Sequence, residues 1–258
     1  MLSVRQLVEL PWETRNLGIP SFELTLPDSE GELNEILSKI LLNQASCFIQ
    51  AKIDRTKIPF SMLLERNGFY FVETALSLNT VFSKNASLAG FMENSKAFLP
   101  VRFDPDRFEL LSADKTSPIV RNDIRKIANE SFVDDRFHVD PNCSKELADG
   151  RYVNWVGDML VDDRCKFDLL TYEGVPIAFM GRRHESLLLA GFVRKYAQSG
   201  LGEFFWLSVL KRMVEEGFDK AVTTISANNM PTLNLHSRLG FRFRNPLAIH
   251  HYWTRPKS

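Results

Sequence analysis

The sequence predicts an α/β or α+β fold. Three observations carry that reading: helical and extended signals alternate along the chain, one strand–helix–strand unit occurs twice, and nowhere do eighteen apolar residues run together. The 258 residues hold enough apolar side chains for a sizeable core, and 32 Lys and Arg balance 32 Asp and Glu. No sequence-wide field therefore favours nucleic acid or an anionic membrane surface, and any charged ligand must be met locally.

Taken in order, the first sixteen residues, MLSVRQLVELPWETRN, have neither an uninterrupted apolar run nor a cleavage-like end. Cys47, Cys143 and Cys165 are odd in number and widely spaced, which suits reduced thiols better than a disulfide framework or a metal site. A cytoplasmic protein without a bound metal is expected.

The repeat starts at Ile53. IDRTKIPFSMLLERNGFYF (Ile53 to Phe71) lies over ISANNMPTLNLHSRLGFRF (Ile225 to Phe243), 172 positions later, without a gap. Ile53 meets Ile225, Pro59 meets Pro231, Leu63 meets Leu235, Arg66 meets Arg238, Gly68-Phe69 meets Gly240-Phe241, and Phe71 meets Phe243. Each copy reads as an apolar strand, a helix with Pro in its first turn and Gly at its end, and a second strand of alternating aromatics. Residues 1–84 are thus expected to form a first domain and 105–258 a second, with 85–104, punctuated by Pro100, as the linker.

In the second copy, Val175 to His184 and Leu187 to Val193 read as strands joined by a turn at Glu185-Ser186, and a helix follows from Leu201 to about Gly217. Between them lies KYAQSGLG. Small residues at Ala197, Ser199, Gly200 and Gly202 let a ligand approach the backbone, and the helix start offers free N–H groups and positive potential to an anion such as a pyrophosphate. A dinucleotide fingerprint would need a third Gly and an acidic residue at the tip of the next strand, and a nucleoside-triphosphate loop would need Gly-Lys-Ser/Thr; both are absent.

This segment resembles the GNAT acyltransferases, in which a strand, a Gln/Arg-x-x-Gly-x-Gly/Ala loop and a helix bind the coenzyme A pyrophosphate. NMPTLNLHSRLGF (Asn229 to Phe241) is similar to the next motif, Asn-x-x-small-x-x-x-Tyr-x-x-x-Gly-Phe, with His236 where Tyr is usual; Ala197 stands where Gln or Arg is usual. LPWETRNLGIPSFEL, IQAKID, ERNGFYFVETALSL and DDRFHVDPNCSKELADGRYVNWVGDML further resemble, in order, the dTDP-fucosamine acetyltransferase branch. The resemblance implies a mixed twisted sheet flanked by helices, preceded by a degenerate half-GNAT-like domain. It implies N-acetyl transfer from acetyl-CoA to a primary amine of a nucleotide-linked amino sugar. An amino acid, a polyamine or a protein N-terminus stays open as acceptor, as does a module that binds coenzyme A without turnover. A homodimer is left open too.

On this resemblance Phe192 and Val193 would hold the thioester carbonyl by their backbone, and Ala197, Gln198, Ser199, Gly200, Leu201 and Gly202 the pyrophosphate. Asn229, Thr232 and His236 fall at steps of three and four and share one helical face, turned to the coenzyme in this superfamily. His236 would protonate the thiolate, with Tyr196, Tyr252, His250 and His251 as alternatives. In the first copy Leu64, which moves no proton, takes its place. Arg136 and His138, within Asp134 to Pro141, would contact a diphosphate of the acceptor. Trp12 and Trp155 read as core or interface aromatics. No base for the amine is evident, because LLLAGFV carries no carboxylate.

Overall fold

The computed structural model describes residues 6–42, 45–132 and 135–254. Its first half runs β1 (Leu7–Glu9), α1 (Pro11–Leu17), β2 (Ser21–Leu24), α2 (Glu30–Leu41), β3 (Cys47–Asp54), α3 (Ile58–Arg66), β4 (Tyr70–Val81) and α4 (Ala86–Glu93). The second runs β5 (Phe108–Ser112), α5 (Pro118–Ser131), α6 (Lys145–Val161), β6 (Cys165–Tyr172), β7 (Val175–Arg183), β8 (Ser186–Phe192), α7 (Gly202–Glu215), β9 (Lys220–Ser226), α8 (Met230–Arg238) and β10 (Arg242–Thr254). The β7–β8 turn sits one residue earlier than the sequence predicts. His184 takes the left-handed conformation at φ 50° and Ser186 already belongs to β8.

The repeat is visible in three dimensions: α3 and α8 have the same length and lie 172 residues apart. Gly68 (φ 87°) and Gly240 (φ 72°) follow them in the left-handed region that glycine tolerates best. The Gly240 site is also crowded, since a Cβ there would stand 2.6 Å from Asn85 Nδ2. Asn85 donates to the Leu239 carbonyl and accepts from the Leu88 amide, joining the end of α8 to the start of α4.

All ten strands form one sheet in the order β1-β2-β3-β10-β4-β9-β8-β7-β6-β5. The final strands of the two repeats have changed places. β10 lies antiparallel to β3, pairing Leu247 with Asp54 through Thr254 with Cys47, while β4 lies antiparallel to β9, pairing Ala75 with Ser226 through Val81 with Lys220. β4 and β10 also pair with each other, through a bulge between Arg244 and Leu247. On one face α7 and α4 cover the second half, with Phe205, Leu207, Leu210 and Leu88 buried against Leu78 and Ala178. On the other face α5 and α6 bury Ile124, Val156 and Met159 against Phe167, Phe179 and Leu189. In the first half α2 and α3 cover β3.

β8 and β9 are parallel but pair only at Ser186 with Val222. Beyond that pair a side-chain bond from Thr223 Oγ1 to the Leu187 carbonyl (2.9 Å) is the last tie, and the strands part. Unpaired strand edges facing each other inside a sheet leave a polar-walled gap, and the candidate site occupies it.

Candidate active site

A cavity of about 200 Å³ fills the gap between β8 and β9. Asn229, Thr232 and His236 of α8 and Trp206 of α7 line one side, with Ser131, Asp135, Tyr152 and Trp155 on the other. The three α8 residues thus share the face their spacing requires. Asn229 also caps the helix, accepting from the Thr232 amide at 3.1 Å.

His236 is buried, 2% exposed, with both ring nitrogens engaged. Nδ1 lies 2.8 Å from the Thr232 carbonyl, which can only accept, so Nδ1 carries the proton. Nε2 then accepts from Trp206 Nε1 at 3.3 Å. Burial lowers the pKa of His236 below the ordinary histidine value, only partly offset by the Thr232 carbonyl. A neutral ring with its one proton held by a carbonyl has none to offer the cavity. For the alternatives, Tyr196 packs beside Phe103 and Tyr172, away from the cavity lining. Tyr252 stacks on Phe69 at 4.8 Å. His250 bonds Ser61 and Glu65, and His251 bonds Asp140 Oδ2 at 2.7 Å beneath the first half.

At the other end of β8, the Val193 amide donates to the Ile177 carbonyl at 2.8 Å and is not free for a ligand. Alternation along an antiparallel strand points the neighbouring Phe192 amide the opposite way, toward the gap. Ser131 Oγ donates there to the Phe192 carbonyl at 3.0 Å. The Ala197 and Ser199 amides close turns onto Val193 and Tyr196, whereas the Gln198 and Gly200 amides have no partner among the described residues. Gln198 (φ 58°) and Gly200 (φ 86°) are left-handed, and a Cβ on Gly200 would stand 2.9 Å from Pro100 Cγ. Arg102, two residues beyond that proline, donates to the Ser199 carbonyl. Gly202 differs: it opens α7 without a positive φ, and a Cβ there would meet Leu235 at an ordinary 3.6 Å. Leu201 is buried and anchors the loop. Glu203 in the first turn of α7, which would oppose an anion, is neutralised by Arg238.

On the β9 side of the gap the exchanged strand supplies a carboxylate that sequence reasoning missed. Glu73 of β4 is 7% exposed, and its Oε2 has no partner among the described residues. Burial pushes its pKa up, against the opposing effects of Ser226, which lines the cavity, and of the Arg136 charge. The available signal was one acidic residue in an otherwise apolar or small strand, FVETALSL.

Arg136 lies 3.5 Å from Glu13, which is held at 2.6 Å by Arg151 as well. His138 faces Asp135 through Nδ1 and Asp149 through Nε2, so both ring nitrogens are engaged inside the protein. Asp134 lies outside the described residues. Trp12 donates to Asp158 Oδ2 at 2.8 Å and packs at the α1–α6 junction, whereas Trp155 lines the cavity. Among the described residues no group of His, Cys, Asp or Glu could hold a metal ion, and no helix is long and apolar enough to cross a membrane.

No family model and no curated protein sequence matches the chain. Solved structures do. A GCN5-related N-acetyltransferase from Sphaerobacter thermophilus superposes with a TM-score of 0.59 at 13% identity, over 93% of this chain and 74% of that one. A tandem GNAT protein from the clavulanic acid biosynthesis pathway gives 0.57 at 9% identity, over 93% and 77%. A GCN5-related N-acetyltransferase from Kribbella flavida gives 0.52 at 12%, over 90% and 80%. The chain therefore has the GNAT fold, a mixed twisted sheet flanked by helices with a half-GNAT-like unit ahead of it.

Proposed function

We propose that the protein is an N-acetyltransferase that moves the acetyl group of acetyl-CoA to a primary amine, with a nucleotide-linked amino sugar of the dTDP-fucosamine type as acceptor. The observation that carries this reading is the β8–β9 gap. Where the strands part, the loop of open amides follows β8 and the buried, elevated Glu73 carboxylate stands beside Ser226 at the end of β9, the two requirements of acyl transfer to an amine.

The open amides of Gln198 and Gly200 and the start of α7 hold the pyrophosphate. The Phe192 amide faces the negative charge that develops on the carbonyl oxygen. Glu73 takes the proton from the incoming amine; its raised pKa brings it closer to neutral pH, where a general base works best. The departing sulfur can leave as an anion, since thiols ionise near about 8.5. His236 fixes Trp206 and the cavity wall and is a positioning residue. Arg136 balances Glu13 and Glu73. The three cysteines form no disulfide, which suits a reducing cytoplasm.

An acceptor screen with acetyl-CoA and a thiol-release readout tests the reading, with nucleotide-linked amino sugars, amino acids, polyamines and peptide N-termini as its arms. Transfer to an amino sugar, confirmed by product mass, supports it. Transfer only to another class replaces the acceptor, and coenzyme A binding without turnover on any arm leaves a binding module.

A further inference from the structure

An open groove of about 580 Å³ lies on the α6 side of β9, β4 and the start of β10, lined by Ser77, Asn79, Lys220, Thr224 and Arg244, and an adjoining hollow at Asn79 and Arg244 takes in Arg242. The groove continues from the β8–β9 cavity, sharing Trp155, Leu187, Leu188, Thr223 and Thr224 with it. Alternate residues of a strand share a face, so Ser77, Asn79 and Val81 point the same way as Glu73. Residues paired across antiparallel strands also share a face. Thr224 lies opposite Ser77, Lys220 opposite Val81, Arg244 opposite Ser77 and Arg242 opposite Asn79. Lys220, Arg242 and Arg244 therefore stand together on this face, at the end remote from Glu73.

In a chain whose charges balance, that end is locally basic. Arg242 and Arg244 are exposed and form no ion pair among the described residues, and Lys220 has only Glu185, at 3.7 Å between two largely exposed groups. Asn79 Oδ1, in the midst of these three residues, is buried without a partner among the described residues. Arg136 is otherwise placed: it lies among Glu13, Glu73 and a second arginine, so its charge is already answered. Arg244, Arg242 and Lys220 lie level with positions four, six and eight residues along β4 from Glu73, which at roughly 3.3 Å each puts the basic end about 13–26 Å away.

We infer that this groove is the acceptor's seat and that Arg242, Arg244 and Lys220 bind a phosphate or diphosphate ester carried by the acceptor at the end opposite its amine. The inference rests on the transfer reading for the amine end only. Guanidinium forks suit phosphate oxygens in a way that a solvated lysine surface does not. Ser77, Asn79 and Thr224 line the groove with hydrogen-bonding groups beside these charges, as a polar linker such as a sugar ring would need.

Calorimetry on the full chain saturated with coenzyme A tests it, because the glycine loop is then filled and further pyrophosphate must sit elsewhere. Inorganic pyrophosphate should bind at one site per chain, and Arg244→Ala and Arg242→Ala should each weaken it about tenfold or more, as expected for lost charge-assisted hydrogen bonds. A nucleoside diphosphate is the second probe. Tighter binding than pyrophosphate assigns a nucleotide-linked acceptor, equal binding a simpler ester, and both support the seat. Absence of binding by both probes, or binding indifferent to both substitutions, overturns it. If the wild-type chain fails to bind coenzyme A, the transfer reading falls, while the effect of Arg244→Ala on pyrophosphate binding still decides the groove.

Discussion

Replacing His236 separates a packing role from an acid role, because the structure sets different magnitudes for each. The ring is 2% exposed and lies edge-on to Phe241 at 4.7 Å and to Trp206 at 6.0 Å, between centroids. His236→Ala leaves the buried Trp206 N–H without its acceptor, worth roughly 1–3 kcal/mol. It also opens a void, which raises the total toward the roughly 2–5 kcal/mol of large-to-small core changes. In a chain of this size each kcal/mol lowers Tm by about 2–4 °C. A fall of several degrees or more is expected, with turnover kept within about tenfold of wild type, since loss of a true general acid costs on the order of 10²–10⁴. His236→Gln, whose amide oxygen can accept from Trp206, should recover much of the stability although it has no proton that titrates. Thermal unfolding and steady-state kinetics on the same preparations provide the readout. A hundredfold loss of turnover in both variants with Tm unchanged would refute the reasoning and make His236 the acid.

Three further outcomes follow from the site. Gly200→Ala should weaken coenzyme A binding in calorimetry, since it forces a side chain into the left-handed region at about 1–2 kcal/mol and against Pro100, whereas Gly202→Ala should leave affinity unchanged. Glu73→Gln should abolish the acidic limb of the turnover profile, which in the wild type falls above the usual carboxylate range; it should also raise Tm at neutral pH, because a carboxylate with a raised folded pKa costs stability from the unfolded value upward, in full once pH exceeds the folded one. Burial holds His251 down at about 4, so its stabilising effect is complete above the unfolded histidine value near 6.5 and is lost as pH falls toward 4, at about 1.4 kcal/mol per unit. Urea titrations at pH 7 and pH 4.5 should show that loss, and His251→Phe should reduce the difference between them.

What the sequence made legible is what depends on neighbours along the chain. Pro59 and Pro231 start their helices, Gly68 and Gly240 end them, and the spacing of Asn229, Thr232 and His236 sets one face of α8. The loop at Gly200 was legible for the same reason, though Gly202 proved to be an ordinary first helical residue. What stayed hidden depends on partners far away in sequence. Trp206, thirty residues before His236, occupies its Nε2, and Asp135 and Asp149 together engage His138. Val193 lost its amide to Ile177 through a register that no local pattern encodes. Glu73 was hidden most deeply, because its relevance depends on which sheet neighbour β4 takes.

That neighbour follows from the strand exchange, and the exchange explains why the first repeat is retained without a glycine loop of its own. Had β4 paired with β3, Glu73 would lie beside the first half, and β9 would end the second half with an unpaired edge next to the gap. With β4 placed against β9, one strand performs three tasks. Its amides close the β9 edge, which would otherwise offer free hydrogen-bonding groups to another chain. Glu73 hydrogen-bonds Ser226, which lines the cavity. Ser77 and Asn79 extend the same face outward as the groove floor. The reciprocal placement of β10 against β3 locks the arrangement: Asp140 takes His251, Trp253 and Tyr70, drawing residues of both exchanged strands onto one carboxylate. Removing either strand therefore opens both halves of the sheet. On the proposed reading the first repeat supplies the base and the acceptor floor and the second supplies the amides, so neither half alone would contain a complete reaction centre.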